Sequence, residues 1–97
     1  MSVIRHLVIR GRVQGVGYRA FVEDAALDHG VAGWVRNRRN GEVEAVFAGP
    51  AAAVAQVAQA FRRGPRGARV DSVEEREATQ DELALCGSAR FAVLPTI

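Results

Sequence analysis

The sequence contains no lysine; all 13 of its basic residues are arginine. It has one cysteine, one methionine, one tryptophan and one tyrosine, and aromatics make up 6% of the chain. Each scarcity excludes something. A single cysteine, Cys86, forbids an intrachain disulfide and suits a reducing cytoplasm. With Gly87 beside it and no histidine near, Cys86 reads as an incidental thiol. His6 and His29 have metal-ligand spacing neither with each other nor with Cys86. No metal or cofactor is therefore expected, and both histidines read as surface residues. The longest uncharged stretch, 45–61, is interrupted by Gly49-Pro50 and carries Gln56 and Gln59, so it is too short and too broken to span a bilayer. No charged segment followed by an apolar core opens the chain, so no secretory leader is expected and the location predicted is cytoplasmic. The missing lysine, together with abundant alanine, looks like coding bias toward GC-rich codons. Arginine as such is therefore weak evidence for a phosphate.

What is present is an ordinary globular balance. Hydrophobic residues make up 48% and charged residues 25% of 97 positions, which predicts one domain over 1–97 and demands nothing beyond a monomer. The net charge of +2 is unevenly spread. Residues 1–39 hold seven arginines against Glu23, Asp24 and Asp28, whereas residues 40–97 hold six against eight acids. The acidic pairs Glu23-Asp24 and Glu74-Glu75 are sequence neighbours. Such neighbours do not face one another in a helix or strand, so neither makes a catalytic dyad.

Alternation of Leu7, Ile9 and Val13 against His6, Arg10 and Arg12 predicts a strand over 4–13. Val22, Ala25, Ala26 and His29 then fall at helical spacing over 19–29, with Gly30 as the stop. Residues 31–36 and 42–48 are strand-like, and Asn40-Gly41 between them is a hairpin signal. Gly49-Pro50 opens a second helix, with Pro50 at its first position and Val54, Val57, Ala58 and Phe61 as its apolar stripe. Gly64-Pro65 ends it. A strand over 68–77, an irregular stretch over 78–88 with a possible turn at 81–85, and a short strand over 90–94 complete the chain. The order β-α-β-β-α-β plus a terminal strand predicts a ferredoxin-like α+β sandwich, two helices on one face of an antiparallel sheet.

The segment hardest to explain as packing is Gly11-Arg12-Val13-Gln14-Gly15-Val16-Gly17-Tyr18-Arg19-Ala20-Phe21. A strand enters it and a helix leaves it. Glycine lets backbone N–H groups approach a ligand closely. A helix start presents free N–H donors and partial positive charge. Arg19 in that first turn opposes the helix dipole, and no Ser, Thr, Asp or Asn precedes it as a cap. An anion would complete such a start, so residues Gln14 to Arg19 are read as a phosphate cradle. The plain alternative is a strand-to-helix turn carrying a solvated arginine. A dinucleotide-binding turn needs several βαβ units, and a P-loop needs a following Gly-Lys-Ser/Thr. Neither is available here.

The run from Gly11 to Arg19 resembles the signature of the acylphosphatases. So does Gly33-Trp34-Val35-Arg36-Asn37 at the appropriate distance. The likeness extends through Gly41-Glu42-Val43-Glu44, Gly64-Pro65 and Ala68-Arg69-Val70, and so covers nearly the whole chain. It implies metal-independent hydrolysis of the carboxyl–phosphate bond of small acyl phosphates, giving a carboxylate and inorganic phosphate. It places the family's phosphate-binding arginine on Arg19, its catalytic asparagine on Asn37, and backbone donors on Gln14, Gly15, Val16, Gly17 and Tyr18. Asn40 stands where many members have Asp, a change confined to a turn in which either residue accepts positive φ.

The chemistry is coherent with these residue types. A guanidinium forks onto two phosphate oxygens but cannot act as a base. A carboxylate leaves without help from a general acid, and the motifs hold no Asp, Glu or His. Asn37 offers both a donor and an acceptor, enough to orient water, although an Asn just after a strand is also a common turn residue. Its strand can run beside the first in this fold and bring it close to the cradle. Arg36, Arg38 and Arg39 either enrich substrate locally or are solvated loop charges. Two other classes compete. An RNA-binding module shares the sandwich, but Arg19 breaks the register of its aromatic stretch and aromatics are few. A non-catalytic accessory domain would be expected to have lost Arg19 or Asn37.

Overall fold

The computed structural model describes all 97 residues. The chain runs β1 (Ser2–Arg12), α1 (Tyr18–Asp28), β2 (Ala32–Asn37), β3 (Val43–Pro50), α2 (Ala51–Arg63), β4 (Arg69–Glu77), α3 (Gln80–Leu83), a 3₁₀ turn (Ala84–Cys86) and β5 (Phe91–Val93). The five strands form one sheet in the order β4-β1-β3-β2-β5. Neighbours are antiparallel except β5, which lies parallel to β2 at the edge. This is the ferredoxin-like sandwich with an added strand. No helix is long and apolar enough to cross a membrane.

Period-two alternation sets the two faces of the sheet. Leu7 and Ile9 of β1, Val35 of β2 and Val43, Ala45 and Phe47 of β3 face the helices and are fully buried. From α2 the expected stripe Val54, Val57, Ala58 and Phe61 packs onto them. From α1 the buried residues are Tyr18, Val22 and Ala26, one turn apart; Ala25 is only partly buried and His29 is exposed. The stripe therefore begins at Tyr18, inside the segment read as a loop. Tyr18 meets Phe61 edge-on at 5.7 Å, and Phe61 meets Phe47 edge-on at 5.6 Å. The Tyr18 hydroxyl donates to the Phe61 carbonyl, and burial pushes its pKa upward.

Three local expectations are corrected. Pro50 is the N-cap of α2, not its first helical residue, and still pairs with Ser2 in the sheet. The β2–β3 connection spans residues 38–42 and closes through Gly41 N–H to the Arg38 carbonyl at 3.0 Å. Within it Asn40 keeps negative φ and accepts the Glu42 N–H on its side chain at 3.1 Å, an Asx turn; Gly41 alone takes positive φ, 95°. The third correction is topological: β3 lies between β1 and β2, so β2 does not run beside β1.

The opposite face of the sheet is not bare. His6 was expected at the surface but is 8% exposed, with its Nε2 2.6 Å from Glu44 Oε2. Register explains the cluster. Val8, Glu44 and Arg36 form one cross-strand row, and His6, Val46 and Trp34 the next. Arg36 Nε donates to Glu44 Oε1 at 2.8 Å, and its guanidinium lies 4.6 Å from the Trp34 ring centre. The 78–88 stretch folds over this face. Thr79 and Glu82 form a reciprocal capping box that starts α3, and Trp34 Nε1 donates to the Glu82 carbonyl at 2.7 Å.

Burial alone would push the Glu44 carboxyl up in pKa. Hydrogen bonds from His6 and Arg36, and the charge of Arg36, outweigh it and leave the group at about 2 against an ordinary 4.5. A depressed folded-state pKa contributes stability that is complete above pH 4.5 and is lost as pH falls through about 2. The size is about 3 kcal/mol. Glu44→Gln is therefore expected to lower stability at pH 7 by about 2–4 kcal/mol and to flatten the loss between pH 4.5 and 2. Urea midpoints measured across that range check both effects.

Candidate active site

The site begins where β1 stops pairing. The β1–β4 register shifts between Arg10 and Gly11, a bulge beyond which Gly11 and Arg12 still pair with Val70 and Arg69 of β4. Gly11 has φ 135°, and a Cβ there would stand 2.1 Å from the Arg69 carbonyl oxygen, so the close approach of β4 requires glycine. Beyond the bulge the chain turns through Gly15 and Gly17, with φ 74° and 78°, and enters α1 at once. Both are left-handed conformations that glycine adopts without strain.

Gly17 is the N-cap of α1; it supplies no side-chain cap, and no acidic residue lies in the first turn. The first intrahelical bond is Phe21 N–H to the Gly17 carbonyl at 3.1 Å. The backbone N–H groups of Gly15 to Ala20 have no acceptor within the chain. Arg19 is partly exposed and enters no ion pair. A missing cap costs about 1 kcal/mol, and a misplaced cation about 0.3–1 kcal/mol more. Burial of Tyr18 and Val22, worth about 1.5–3 kcal/mol for a large side chain, holds the helix start regardless.

This turn opens onto a cavity of about 400 Å³. Its walls include Gln14, Gly15, Gly17, Tyr18 and Arg19 from the turn, Asn37 from the last position of β2, and Ala20, Glu23 and Val93 around them. Arg19 and Asn37 therefore share one cavity although β1 and β2 are not neighbours. The connection is made through α1, which packs on β2. Val16 does not line the cavity and packs its side chain against the core. Tyr18 contributes its position in the turn, while its phenol is committed to the core.

Gln14 does more than occupy the turn. Its side-chain amide donates to the Arg38 carbonyl at 2.7 Å and the Glu42 carbonyl at 2.9 Å, spending both hydrogens on the β2–β3 connection. It thereby ties the turn to the residues just after Asn37. The end of the chain adds a second tie. Ile97 N–H donates to the Asn37 carbonyl at 3.3 Å, and Arg39 N–H to the Ile97 carbonyl at 2.7 Å. Three of the neighbouring arginines are spent elsewhere, whereas Arg39 is exposed and enters no ion pair. Arg36 and Arg38 pair with Glu44, Arg38 also with Glu42, and Arg10 with Glu42 and Glu74. The solvated-charge reading of Arg36 and Arg38 is therefore replaced by an ionic lattice. Glu23 and Val93 were missed as cavity residues. Glu23 had a signal, standing four residues after Arg19 on the same helix; Val93 had none short of the tertiary fold.

The Gln14 staple carries a direct expectation. Gln14→Met keeps the length of the side chain and removes both donors. Amide hydrogen exchange at Arg38 and Gly41 should accelerate several-fold, with exchange in the core of β3 unaltered. Unchanged exchange at both positions would mean that the connection holds itself.

Comparison with known proteins now places the chain. The acylphosphatase family profile matches residues 5–92. The chain is similar to an acylphosphatase of Rhodopseudomonas palustris (strain BisB18), 52% identical over 97 residues, covering 99% of this chain and 98% of the relative. An acylphosphatase of Nitrobacter hamburgensis is 54% identical with the same coverage. Among solved structures, the acylphosphatase from Bacillus subtilis superposes with a TM-score of 0.78 at 34% identity, covering 97% of this chain and 99% of that one. With the profile spanning nearly its whole length and these relatives matched end to end, the chain belongs to the acylphosphatase family.

Proposed function

We propose that this protein hydrolyses the carboxyl–phosphate anhydride bond of small acyl phosphates without a metal ion. The observation that carries the reading is the single cavity shared by the unpartnered turn amides, Arg19 and Asn37. Such amides at a helix start suit a dianionic phosphoryl group. In this reading the phosphoryl oxygens sit on the N–H groups from Gly15 to Arg19, and the Arg19 guanidinium forks onto two of them. Asn37 holds a water against phosphorus, opposite the acyl oxygen. Water oxygen bonds to phosphorus as the phosphorus–acyl oxygen bond breaks. The carboxylate leaves with the bonding pair, and the water's proton passes to a phosphoryl oxygen. Positioning and charge stabilisation are all that a loose phosphoryl-transfer transition state requires.

The cavity's side chains suit this chemistry better than metal ligation. One carboxylate, Glu23, lines the cavity, and no group of three or more His, Cys, Asp or Glu residues is placed to hold an ion. The RNA-binding alternative lacks a platform. Five of the six aromatics are buried, Trp34 beneath α3, and Phe21 is partly buried.

The reading is tested by phosphate release from acetyl phosphate, with a stable phosphate monoester as control; release from acetyl phosphate alone is expected. Arg19→Ala and Arg19→Lys should both lose phosphate binding and turnover, because a point charge lacks the planar fork. Asn37→Ala should lower kcat by about 10²–10³, leave KM nearly unchanged, and still bind inorganic phosphate. A lysine variant with near-native turnover would contradict the bidentate contact. Lost phosphate binding with intact kcat in Asn37→Ala would make Asn37 a binding residue.

A second expectation concerns metal. Turnover should persist after exhaustive chelation and should not rise when Mg²⁺ is restored. Loss on chelation with recovery on adding metal would contradict the assigned chemistry.

A further inference from the structure

Ion pairs divide the arginines by position. Seven of the 13 are held by carboxylates. Of the others, Arg90 lies where α1 finishes, its Nη2 3.3 Å from the Gly30 carbonyl. The remaining five gather at the opposite end of the sandwich, where β1 and β2 end and α1 begins. Arg19 is in the cavity wall, and Arg12, Arg39, Arg63 and Arg66 surround it, all four exposed.

Each of the four is anchored close to a cavity residue. Arg12 ends β1 and precedes Val13 of the wall. Arg39 follows Asn37 by two residues, and its N–H is held by the Ile97 carbonyl. Arg63 ends α2, with its guanidinium 6.0 Å from the ring centre of Phe21, the residue after Ala20 of the wall. Arg66 belongs to the α2–β4 connection. There Gly64 packs so tightly on Tyr18 that a Cβ would stand 2.7 Å from the ring.

Acids are sorted the other way. Residues 13–17 and 64–68 contain none, and Glu42, the one acid of 38–42, is held by Arg10 and Arg38. Asp71 is held by Arg69. Asp28 and Glu77 enter no ion pair, and they end α1 and β4 at the far end of the sandwich. Glu23 and Asp24, further along α1, are the exceptions, and of these only Glu23 lines the cavity. Unpaired cations therefore exceed unpaired acids around the turn.

None of the four outer guanidiniums lines the cavity, so none is placed against a phosphoryl group seated on the turn amides. A charge needs no contact to act on a dianion. At about 10 Å in water, one cation raises the local concentration of a dianion roughly three-fold at low salt. Charges of one sign around a cleft add their fields.

We infer that Arg12, Arg39, Arg63 and Arg66 form a collecting surface that draws the dianionic substrate to the turn by charge alone. The inference rests on the acyl phosphate reading above. It divides the arginines chemically. Arg19 must fork onto oxygens, so lysine cannot replace it; the outer four need only their charge, so lysine can replace them.

The test replaces Arg12, Arg63 and Arg66 together, once by glutamine and once by lysine. Steady-state kinetics with acetyl phosphate, a dianion at neutral pH, are compared with the native protein from about 0.01 M to about 1 M salt. At low salt the glutamine variant should lose about tenfold in kcat/KM, through KM, with kcat unchanged. Its ratio to the native value should approach one at about 1 M, where the Debye length is about 3 Å. The lysine variant should match the native protein throughout. Arg90→Gln, which removes a charge at the far end, should change nothing. The dissociation constant for inorganic phosphate should follow the same pattern. Native kcat/KM in the glutamine variant at low salt would overturn the collecting role. So would a loss shared by the lysine variant or persisting at 1 M salt, because either would reveal a directed contact. Absence of hydrolysis in every protein, with the charge pattern kept in phosphate binding, would overturn the reaction and leave the collecting surface standing.

Discussion

The constraint on which the site depends is a helix that starts without satisfying its own donors. Six consecutive N–H groups, from Gly15 to Ala20, have no acceptor in the chain, and an arginine sits among them. Eleven residues are too few for α1 to hold itself in water, so tertiary packing must supply its stability. Tyr18 does so at the first helical position. It lies between Phe61 and Phe21 and donates to the α2 backbone. The most expensive part of the helix is thereby anchored one residue from the glycine that turns into it. Donors that no side chain caps are held in fixed directions, the condition for stabilising charge without reorganisation.

Around that start, the rest of the fold brings a second polar group to the same cavity. Asn37 arrives on β2, two strands from β1. Its connection is tied back by the Gln14 amide and its carbonyl by Ile97. On the far side of the sheet Arg36 and Arg38 pair with Glu44 and Glu42, and neither lines the cavity, whose one guanidinium is that of Arg19.

Much of this was legible in the sequence. The strand–glycine–helix passage was readable because glycine spacing, a missing cap and a misplaced arginine all point to one local geometry. Asn40-Gly41 marked the hairpin, although its five-residue length depended on an Asx turn that the dipeptide alone does not specify. The order of strands was not legible. Placing β2 beside β1 follows chain order, whereas the fold inserts β3, and local patterns carry no information about that choice. His6 was misread because a lone histidine on a polar face looks solvated. Its burial goes with residues 78–88 folding over the second face of the sheet and with its contact to Glu44. Two signals for that were present. Thr79-x-x-Glu82 is a capping box, and Glu42 and Glu44 alternate around the start of β3 as Arg36 and Arg38 do around the end of β2.

The central claim is that the turn from Gly15 to Arg19 is the anion site. Backbone amide NMR during titration with inorganic phosphate tests it most directly. The account predicts that the largest shifts fall on the N–H groups of Gly15, Val16, Gly17, Tyr18 and Arg19, with a smaller response at Asn37, all saturating with one dissociation constant. Shifts centred instead on Arg36, Arg38 and the ionic lattice of the opposite sheet face, with the turn amides silent, would contradict it.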